Sequence, residues 1–444
     1  GYRYSYDMLG EAARTAEDAE RYFNAYLEAI HAIGRTVQGY DEAASPILSA
    51  GISIKLSAIH PRYFATQADK CVPILTERLL KLAEKCKEYN IGLTVDAEEA
   101  HRLDISFQII ENVRLNPTLK GWDGFGLALQ AYQKRAYRAL DWLAELARQS
   151  GHKMMVRLVK GAYWDSEVKY AQERGLPGYP VFTRKHSTDV SYLACAEKLL
   201  KHRDLFYPQF ATHNAHTVSA VIEMAGQKQD GFEFQRLHGM GEPLYHQIIG
   251  NEGTPNKYPV RVYAPVGSHE DLLPYLVRRL LENGANSSFV NRLQDDRVPV
   301  NEMVVNPITY VEKIDCMPHP KIPLPKDIYG SERQNSAGFE VYNNAVSEPL
   351  QNDILSFKDK EWSAGNVKTG KPQAVINPSD HENSVGKVYM ASEKDIADAL
   401  DTAENAFREW ATTPANERAD CLVRMADLME ENITELMAIC IREA

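Results

Sequence analysis

Residues 51–100 read GISIKLSAIHPRYFATQADKCVPILTERLLKLAEKCKEYNIGLTVDAEEA, and this stretch sets the pattern for most of the chain. Its first ten and last ten residues are short apolar runs of the kind that form buried strands. Between them, ILTERLLKLAEKCKEYN repeats apolar residues at helical spacing. The order strand, helix, strand predicts two parallel strands joined by a right-handed crossover.

The same alternation continues over residues 1–290. The strand-like runs, in chain order, are YRYSYDMLGE, GISIKLSAIH, IGLTVDAEEA, GFGLALQAY, KMMVRLVKGAYW, LFYPQFATHN, FEFQRLHGMG and PVRVYAPVG. Eight such units predict an α/β protein with a closed (βα)8 barrel. An open doubly wound sheet is the alternative. The barrel is favoured because GFG at residues 124–126 lacks the third glycine of a dinucleotide-binding turn.

The chain divides into three predicted segments. Residues 1–297 form the barrel domain, and residues 298–362, where prolines gather in PHPKIPLPKDIYG, form an extended linker. Residues 363–444 begin a new domain, in which VINPSDHENSVGKVYMAS predicts a strand, a turn and a strand before two amphipathic helices. The chain starts without Met and stops inside a helical pattern, which indicates a fragment of something longer.

Composition excludes several classes of protein. The net charge of −11 argues against a nucleic-acid binder, because such a protein needs a basic surface. No apolar run is long enough to cross a bilayer, and no signal peptide opens the chain. The six cysteines lack a C-x-x-C pair, and the thirteen histidines form no metal-spaced cluster. We therefore predict a cytoplasmic protein with reduced thiols and no metal site.

Polar side chains stand at the predicted carboxyl end of every strand, where barrel enzymes place their reactive groups. They are Glu11, Lys55, Ser57, Asp96, Glu98, Glu99, Gln130, Arg157, Lys160, Tyr163, Thr212, His213, Asn214, Gln235, His238 and Tyr263. One or two polar strand ends would mean little. Polar residues from all eight strands on one rim predict an active site.

A helix is predicted after the last strand, in DLLPYLVRRLLENG at residues 271–284. It places Tyr275, Arg278, Arg279 and Glu282 on one face. This set suits a small zwitterion, because arginine pairs bind carboxylates through forked hydrogen bonds. A solvated helix face with a glutamate partner is the plain alternative.

Lys55 and Arg157 each alternate with apolar residues, so both are predicted to point into the barrel. An unpaired buried cation is costly, and a ligand carboxylate would satisfy it. For Lys55, an interior ion pair with Asp96 is the alternative. His213 fits a structural role equally well, and one of Tyr163 and Trp164 fits the core.

Several long strings make this sequence similar to one family. They are SYDMLGEA, ISIKLSAIHPRY, VDAEEA, QAYQKRA, RLVKGAYWDSE, TRKHSTDVSYLACA, YPQFATHNAHT, QRLHGMGEPLY, VYAPVGSHE and YLVRRLLENGANSSFVNR. From Tyr2 to Arg292 the chain resembles the proline dehydrogenase part of the bifunctional proline utilization A family. The resemblance implies a distorted FAD-binding (βα)8 barrel with its last helix over the mouth. It also implies oxidation of L-proline to Δ1-pyrroline-5-carboxylate, by hydride transfer to flavin N5.

The resemblance further implies roles for individual residues. Lys55, Arg278 and Arg279 would hold the proline carboxylate, and Glu11 would pair with Arg279 as a gate. The whole substrate set is Lys55, Asp96, Tyr163 (or its neighbour Ala162), Leu237, Tyr263, Tyr275, Arg278, Arg279 and Glu282. The FAD set is Gln130, Arg157, Val159, Lys160, Gly161, Trp164, Thr183, Lys185, His186, Ser187, Thr212, His213, Asn214 and Gln235.

The tail resembles a second family. VINPSDHENSVGKV, AENAFREW and ERADCLVRMADLMEEN are similar to the start of an aldehyde dehydrogenase, whose NAD-binding strands and nucleophilic cysteine would lie beyond residue 444. The parent protein is therefore expected to carry an NAD-dependent second step toward glutamate that this chain cannot perform. The resemblance also implies a membrane quinone as electron acceptor and peripheral contact with the inner face of the membrane, and it leaves an oligomer open.

Two other hypotheses compete with this one. The first is a Schiff-base aldolase on a barrel, with Lys55 or Lys160 as the amine. The second is a non-catalytic fragment. Flavin bands in the absorption spectrum would separate the proline dehydrogenase from both, because a colourless protein fits either alternative.

Overall fold

The computed structural model of the protein describes residues 2–38, 45–249, 258–267, 272–273, 275–277, 305–365 and 371–444. The chain forms two compact units, Gly1–Tyr342 and Asn343–Ala444. The division between them falls inside the linker predicted at residues 298–362. The bounds of the three predicted segments stay a prediction.

Eight parallel strands of the first unit close into a barrel in chain order, so the predicted (βα)8 barrel is confirmed and the open sheet is excluded. Ser5 pairs with Gly51 on one side and with Tyr263 on the other, which closes the ring. A Cβ on Gly126 would lie 2.3 Å from the Met155 carbonyl oxygen. The second glycine of GFG therefore lets the fourth and fifth strands approach closely. The strands are β1 Arg3–Met8, β2 Gly51–Ile54, β3 Gly92–Val95, β4 Phe125–Gln130, β5 Met154–Val159, β6 Phe206–Ala211, β7 Glu233–Leu237 and β8 Val260–Val266.

Helices between the strands form the outer layer of the barrel. They are α1 Ala16–Val37, α2 Ala68–Glu88, α3 Leu103–Arg114, α4 Ala136–Ser150, α5 Trp164–Glu173, α6 Lys185–Lys201, α7 Ala215–Ala225 and α8 Glu242–Ile249. Helix α1 begins with a capping box, in which the Thr15 and Asp18 side chains each accept a hydrogen bond from the other's backbone N–H. Its buried residues include Phe23, Tyr26 and Ile30, which join the core at helical spacing.

A buried carboxylate holds the amino-terminal end of the barrel interior together. Glu233, at the start of β7, has no exposed surface. Its Oε1 accepts from Arg261 Nε at 2.6 Å and from Gln209 Nε2 at 2.8 Å, and its Oε2 accepts from Arg3 Nη1 at 3.0 Å. Burial alone would raise the pKa of Glu233, but Arg261 and Arg3 outweigh it and the pKa is lowered. Ion-paired side chains therefore fill this end of the barrel.

Residues 305–342 belong to the first unit and differ from the extended linker that the prolines predicted. Residues Pro307–Glu312 form a short helix, α9, which Asn306 caps and a proline opens. The Tyr179 hydroxyl donates to the Pro323 carbonyl oxygen at 2.7 Å, and Asn335 Nδ2 donates to the Gln172 carbonyl oxygen at 2.8 Å. These contacts pack the segment against α5 and the loop that follows it.

The second unit contains α10 Asn344–Leu355, β9 Trp362–Ala364, β10 Gln373–Asn377, β11 Asp380–Val388, α11 Glu393–Thr412, α12 Ala415–Glu431 and α13 Ile433–Glu443. Strands β10 and β11 pair antiparallel, as VINPSDHENSVGKV predicted, and β9 adds a parallel edge. The last helix is split in two at Asn432, whose φ of −114° and ψ of 22° leave the helical range. Among the residues that the structure describes, no helix is long and apolar enough to cross a bilayer.

Candidate active site

Lys55 stands directly after β2, and its side chain is 9% exposed. Its Nζ atom donates to Asp7 Oδ1 at 2.8 Å and to Asp96 Oδ2 at 3.0 Å. Its backbone N–H donates to the Tyr26 hydroxyl at 3.1 Å, which ties this strand end to α1. An ammonium group has three donors, so at most one N–H of Lys55 remains for a ligand.

Asp96 follows β3 and links Lys55 to the opposite side of the barrel. Its Oδ1 accepts from Arg157 Nη1 at 2.7 Å, and its Oδ2 also accepts from the Tyr263 hydroxyl at 2.8 Å. Arg157 lies on β5 and is buried, and its Nε donates to Gln235 Oε1 at 2.7 Å. We name the connected set the charged cluster: Asp7, Lys55, Asp96, Arg157 and Tyr263.

The cations and carboxylates of the charged cluster shift the pKa values of three of its members, Asp7, Lys55 and Asp96. Burial acts to raise the pKa of Asp96, but Lys55 and Arg157 outweigh it and the pKa is lowered. Burial acts to lower the pKa of Lys55, yet Asp7, Tyr263 and Asp96 raise it well above its ordinary value. Burial raises the pKa of Asp7, because Lys55 offsets it only in part. The Lys55 ammonium is thus held protonated, which suits a carboxylate ligand.

The structure brings three predicted substrate residues into direct contact: Lys55, Asp96 and Tyr263. A fourth, Leu237, ends β7 and pairs in register with Tyr263 on β8. The ion pair between Lys55 and Asp96, which the sequence offered as the structural alternative, is present. It leaves the lysine charged and at the carboxyl end of its strand, so the structural role and a ligand-binding role coexist.

The other predicted substrate residues are placed in part. Tyr163 stands between β5 and α5, at the N-cap of the helix. Tyr275 is buried. Glu11 is half-buried in the loop after β1, where the neighbouring Ala12 N–H donates to Ser57 Oγ at 3.1 Å. Arg278, Arg279 and Glu282 lie outside the described residues.

Sequence reasoning missed three buried polar residues of this site. Ser5 and Asp7 alternate along β1, and Ser53 lies on β2. Arg157 Nη2 donates to the Ser5 and Ser53 hydroxyls at 3.1 Å and 2.9 Å. Polar residues at alternate positions of RYSYDM were the available signal, because alternate residues of a strand share one face.

The residues predicted to hold a flavin lie on or just after four neighbouring strands, β4 to β7, and around the starts of α5 and α6. Gln130 Oε1 accepts from the Ala162 N–H at 3.3 Å, and Lys160 forms an ion pair with Asp189 of α6. Trp164 Nε1 donates to the Phe182 carbonyl oxygen at 2.8 Å. The remaining members are Val159 and Gly161 at the end of β5, Thr183, Lys185, His186 and Ser187 at α6, Thr212, His213 and Asn214 after β6, and Gln235 on β7.

Some of these residues also have structural partners. Asn214 caps α7 by accepting from the Thr217 N–H at 3.2 Å. His213 Nε2 accepts from the Leu237 N–H at 3.1 Å, and Thr183 Oγ1 accepts from the His319 N–H at 3.0 Å. Each therefore has a role in the framework beside any contact with a ligand.

The start of α6 has the chemistry of an anion site. Its N-cap, Arg184, makes no side-chain hydrogen bond to the first turn, and that turn carries no acidic residue. The backbone N–H groups at a helix start favour phosphate, and Lys185 adds a cation there. The donor set on α6 and at the ends of β4 to β7 therefore fits a cofactor that carries phosphate groups.

Glu167 of α5 supports the loop that follows Asp96. It is buried, and its Oε1 accepts from the Ala100 N–H at 2.6 Å. Burial raises the pKa of Glu167 to about 7, from an ordinary value of 4.5. The folded protein thus binds this proton more tightly than the unfolded chain does, and the resulting stability is lost as the pH rises from 4.5 through about 7.

Replacing Glu167 by glutamine is expected to stabilise the protein at pH 8, because the amide keeps the acceptor for Ala100 without a buried charge. The shift from 4.5 to about 7 corresponds to at most about 3 kcal/mol. Urea unfolding at several pH values measures the free energy of unfolding of both proteins. The extra stability of Glu167→Gln should vanish near pH 4.5. Glu173→Gln, at an exposed position of the same helix, is the control. A Glu167→Gln protein that is no more stable at pH 8 would refute the burial argument.

A family model described as proline dehydrogenase matches residues 1–292, a range that includes all eight barrel strands. The chain belongs to the proline dehydrogenase family. Membership implies a flavin-dependent enzyme, in agreement with the donor set at α6. A second model, of the aldehyde dehydrogenase family, matches residues 365–444, so this proline dehydrogenase domain is followed by part of an aldehyde dehydrogenase domain.

Similar proteins agree with this assignment. The bifunctional protein PutA of Klebsiella aerogenes is 51% identical over 459 residues, covering 100% of this chain and 35% of that protein. A crystal structure of a mutant proline utilization A from Bradyrhizobium japonicum has a TM-score of 0.83 at 47% identity, over 97% of this chain and 41% of that one. The crystal structure of proline utilization A from Bdellovibrio bacteriovorus, inactivated by N-propargylglycine, has a TM-score of 0.84 at 28% identity. This match covers 98% of this chain and 46% of that one.

The predicted resemblance to bifunctional proline utilization A is therefore confirmed. This member of the proline dehydrogenase family spans about a third of the length of the curated relative it matches. Both parts of the resemblance, the barrel and the start of the aldehyde dehydrogenase, match separate family models.

Proposed function

We propose that the barrel catalyses the FAD-dependent oxidation of L-proline to Δ1-pyrroline-5-carboxylate, the first step of proline catabolism. The observation that carries the proposal is the buried Lys55 ammonium, held protonated beside Asp96 and Arg157 at the carboxyl end of the barrel strands. This is the kind of group that binds a small carboxylate at a barrel mouth.

The proline carboxylate takes the remaining N–H of Lys55. Tyr263 and Leu237 lie on adjacent strands and form one wall for the ring, with Tyr275 and Tyr163 as further members of the pocket. Three residues outside the described part of the chain complete the proposal: Arg278 and Arg279 on the carboxylate, and Glu282 beside them. Glu11 serves as the gate partner of Arg279.

FAD would be held on the side of Arg157, Gln130 and Gln235, and the start of α6 would hold its phosphates. The residues proposed to hold it are Gln130, Arg157, Val159, Lys160, Gly161, Trp164, Thr183, Lys185, His186, Ser187, Thr212, His213, Asn214 and Gln235. When bound, FAD supplies a hydride acceptor at its N5 atom. Arg157 places a fixed positive charge beside the reacting groups, where negative charge would be stabilised.

The protein's own contribution is orientation. Fixing the carboxylate at Lys55 would hold the ring in one orientation, with the carbon next to nitrogen toward the residues proposed to hold FAD. The buried Tyr263 hydroxyl, through Asp96, keeps Lys55 from rotating away. The amine must lose its extra proton before oxidation, because its lone pair stabilises the iminium that forms.

We further propose that the electrons pass to a membrane quinone. The protein would then be cytoplasmic and touch the inner face of the membrane peripherally. In the parent protein, the complete aldehyde dehydrogenase domain would perform the NAD-dependent second step. The Klebsiella relative is named a bifunctional protein, which supports this division between two enzymes.

The Schiff-base aldolase is disfavoured by the charges at its two candidate amines. A Schiff base forms from a neutral amine, whereas the pKa of Lys55 is raised well above its ordinary value. Lys160 is held in an ion pair with Asp189.

The test is the absorption spectrum of the purified protein under anaerobic conditions. Flavin bands are expected, L-proline should bleach them, and chromatography of the released cofactor should identify FAD. Cyclopentanecarboxylate is the matched control, because it has the ring and the carboxylate but no nitrogen, and it should leave the bands intact. N-propargylglycine, which inactivates the Bdellovibrio protein, should also inactivate this one. A colourless protein, or bands that L-proline leaves unchanged, would overturn the proposal.

A further inference from the structure

Asp7 is a buried carboxylate of the site for which neither the sequence nor the proposed reaction supplies a role. It lies on β1, is 1% exposed, and its Oδ1 is 2.8 Å from Lys55 Nζ. The charged and titratable groups that act on it come from four elements: Lys55 after β2, Asp96 after β3, Tyr263 on β8 and Tyr26 on α1.

The two carboxylates around Lys55 are stabilised unequally. Asp96 accepts hydrogen bonds from Lys55, Arg157 and Tyr263. Asp7 shares two of these partners, Lys55 and Tyr263, but the Arg157 guanidinium is directed to Asp96. The pKa directions agree, since burial raises the pKa of Asp7 whereas the two cations lower that of Asp96. A proton that enters the cluster therefore reaches Asp7 first.

A ligand carboxylate at Lys55 would be the third anion around one ammonium. In a buried site a like charge is costly, and protonation of the least stabilised carboxylate removes that cost. We propose that Asp7 takes up one proton when a carboxylate ligand binds at Lys55. The inference rests on the proposed function, which places the ligand carboxylate there.

The uptake has a consequence for proline itself. Proline arrives as a zwitterion, and its ammonium must release a proton before the ring can be oxidised. As Asp7 gains an O–H bond, the ligand loses one N–H bond and its nitrogen keeps the electron pair. The net charge of site and ligand together is unchanged. Asp7 thereby positions the Lys55 ammonium and stores the proton.

Isothermal titration calorimetry of the flavin-containing chain with cyclopentanecarboxylate tests this. This ligand has no proton of its own to give at neutral pH. Titrations in two buffers of different ionisation enthalpy should show uptake of about one proton per ligand, and Kd should rise about tenfold per pH unit above neutrality. The Asp7→Asn protein should take up no proton, and its Kd should be independent of pH. Asp104→Asn, at an exposed site paired with Arg135, should behave like wild type.

Two results would overturn the proposal: a wild-type protein that binds the ligand without proton uptake, and an Asp7→Asn protein that takes up as many protons as wild type. If Asp7→Asn does not fold, the wild-type proton count and its pH slope decide alone. Failure of cyclopentanecarboxylate to bind, in a protein whose flavin L-proline still bleaches, removes this inference and leaves the proposed function standing. If L-proline does not bleach the flavin bands, the proposed function itself is wrong.

Discussion

Replacing Lys55 by methionine is expected to raise the KM for proline by at least about 30-fold, because truncating one partner of a buried charge pair costs about 2–5 kcal/mol. The variant loses the ammonium that binds the ligand carboxylate, and it leaves Asp7 and Asp96 to repel that carboxylate. Flavin should be retained, because Arg157 keeps its hydrogen bond to Gln235. Steady-state kinetics with an artificial electron acceptor, together with the flavin absorbance, measure both effects.

Lys169→Met is the matched control for this substitution. Lys169 lies on α5 and its side chain is 74% exposed, so the KM should change by no more than about twofold. If Lys55→Met retained a full complement of flavin and a KM within about threefold of wild type, the carboxylate of proline would have to bind elsewhere.

The largest effect on stability is expected at the other end of the barrel. Glu233→Ala should lower the free energy of unfolding by about 3–5 kcal/mol, because it leaves Arg261 buried without its carboxylate partner. Arg3 and Gln209 lose the same acceptor. Urea unfolding followed by tryptophan fluorescence measures the change.

Glu197→Gln is the control, because Glu197 and its partner Lys201 are both exposed and such pairs contribute about 0–1 kcal/mol. A loss of less than about 1 kcal/mol in Glu233→Ala would mean that the buried network contributes little to folding.

The contribution of Glu233 to stability also depends on pH. Because the folded-state pKa of Glu233 is lowered, its contribution is present above the ordinary value of 4.5 and is lost as the pH falls through the folded value. The difference in the free energy of unfolding between wild type and Glu233→Gln should therefore become smaller as the pH falls.

The barrel could be predicted because its local signals and its long-range order agree. Strands β2 and β3 are buried along their whole length, which is why GISI and GLTV are mostly apolar and carry no charged residue. Helices such as α1 and α4 bury one face, so their apolar residues recur at helical spacing. Strand and helix alternate eight times, and right-handed crossovers then leave a closed barrel as the favoured arrangement.

Segments without periodicity were predicted less well. The prolines of PHPKIPLPKDIYG predicted an extended linker over residues 298–362. Within that range Pro307 opens α9, and hydrogen bonds from Tyr179 and Asn335 pack residues 305–342 onto the barrel unit. Such contacts join residues far apart in the chain and leave no local pattern. The break at Asn432 was also missed, because no glycine or proline marks it.

The site was predictable where a polar residue interrupts an apolar strand. Lys55 and Arg157 stood out in this way, and both lie in the charged cluster. Asp7 did not stand out, because β1 mixes aromatic and polar residues throughout. The ion pair of Asp7 with Lys55 also joins two different strands. The sequence can show that a residue is polar and inward-facing. Which of several possible partners it meets depends on strand register and side-chain geometry, which the three-dimensional structure shows.

A crystal structure of the flavin-containing protein with cyclopentanecarboxylate bound tests the central claim most directly. The ligand carboxylate should lie at the carboxyl end of the barrel strands, with an oxygen about 3 Å from Lys55 Nζ and the ring against Tyr263. A ligand bound elsewhere, with Lys55 contacting Asp7 and Asp96 alone, would contradict the account.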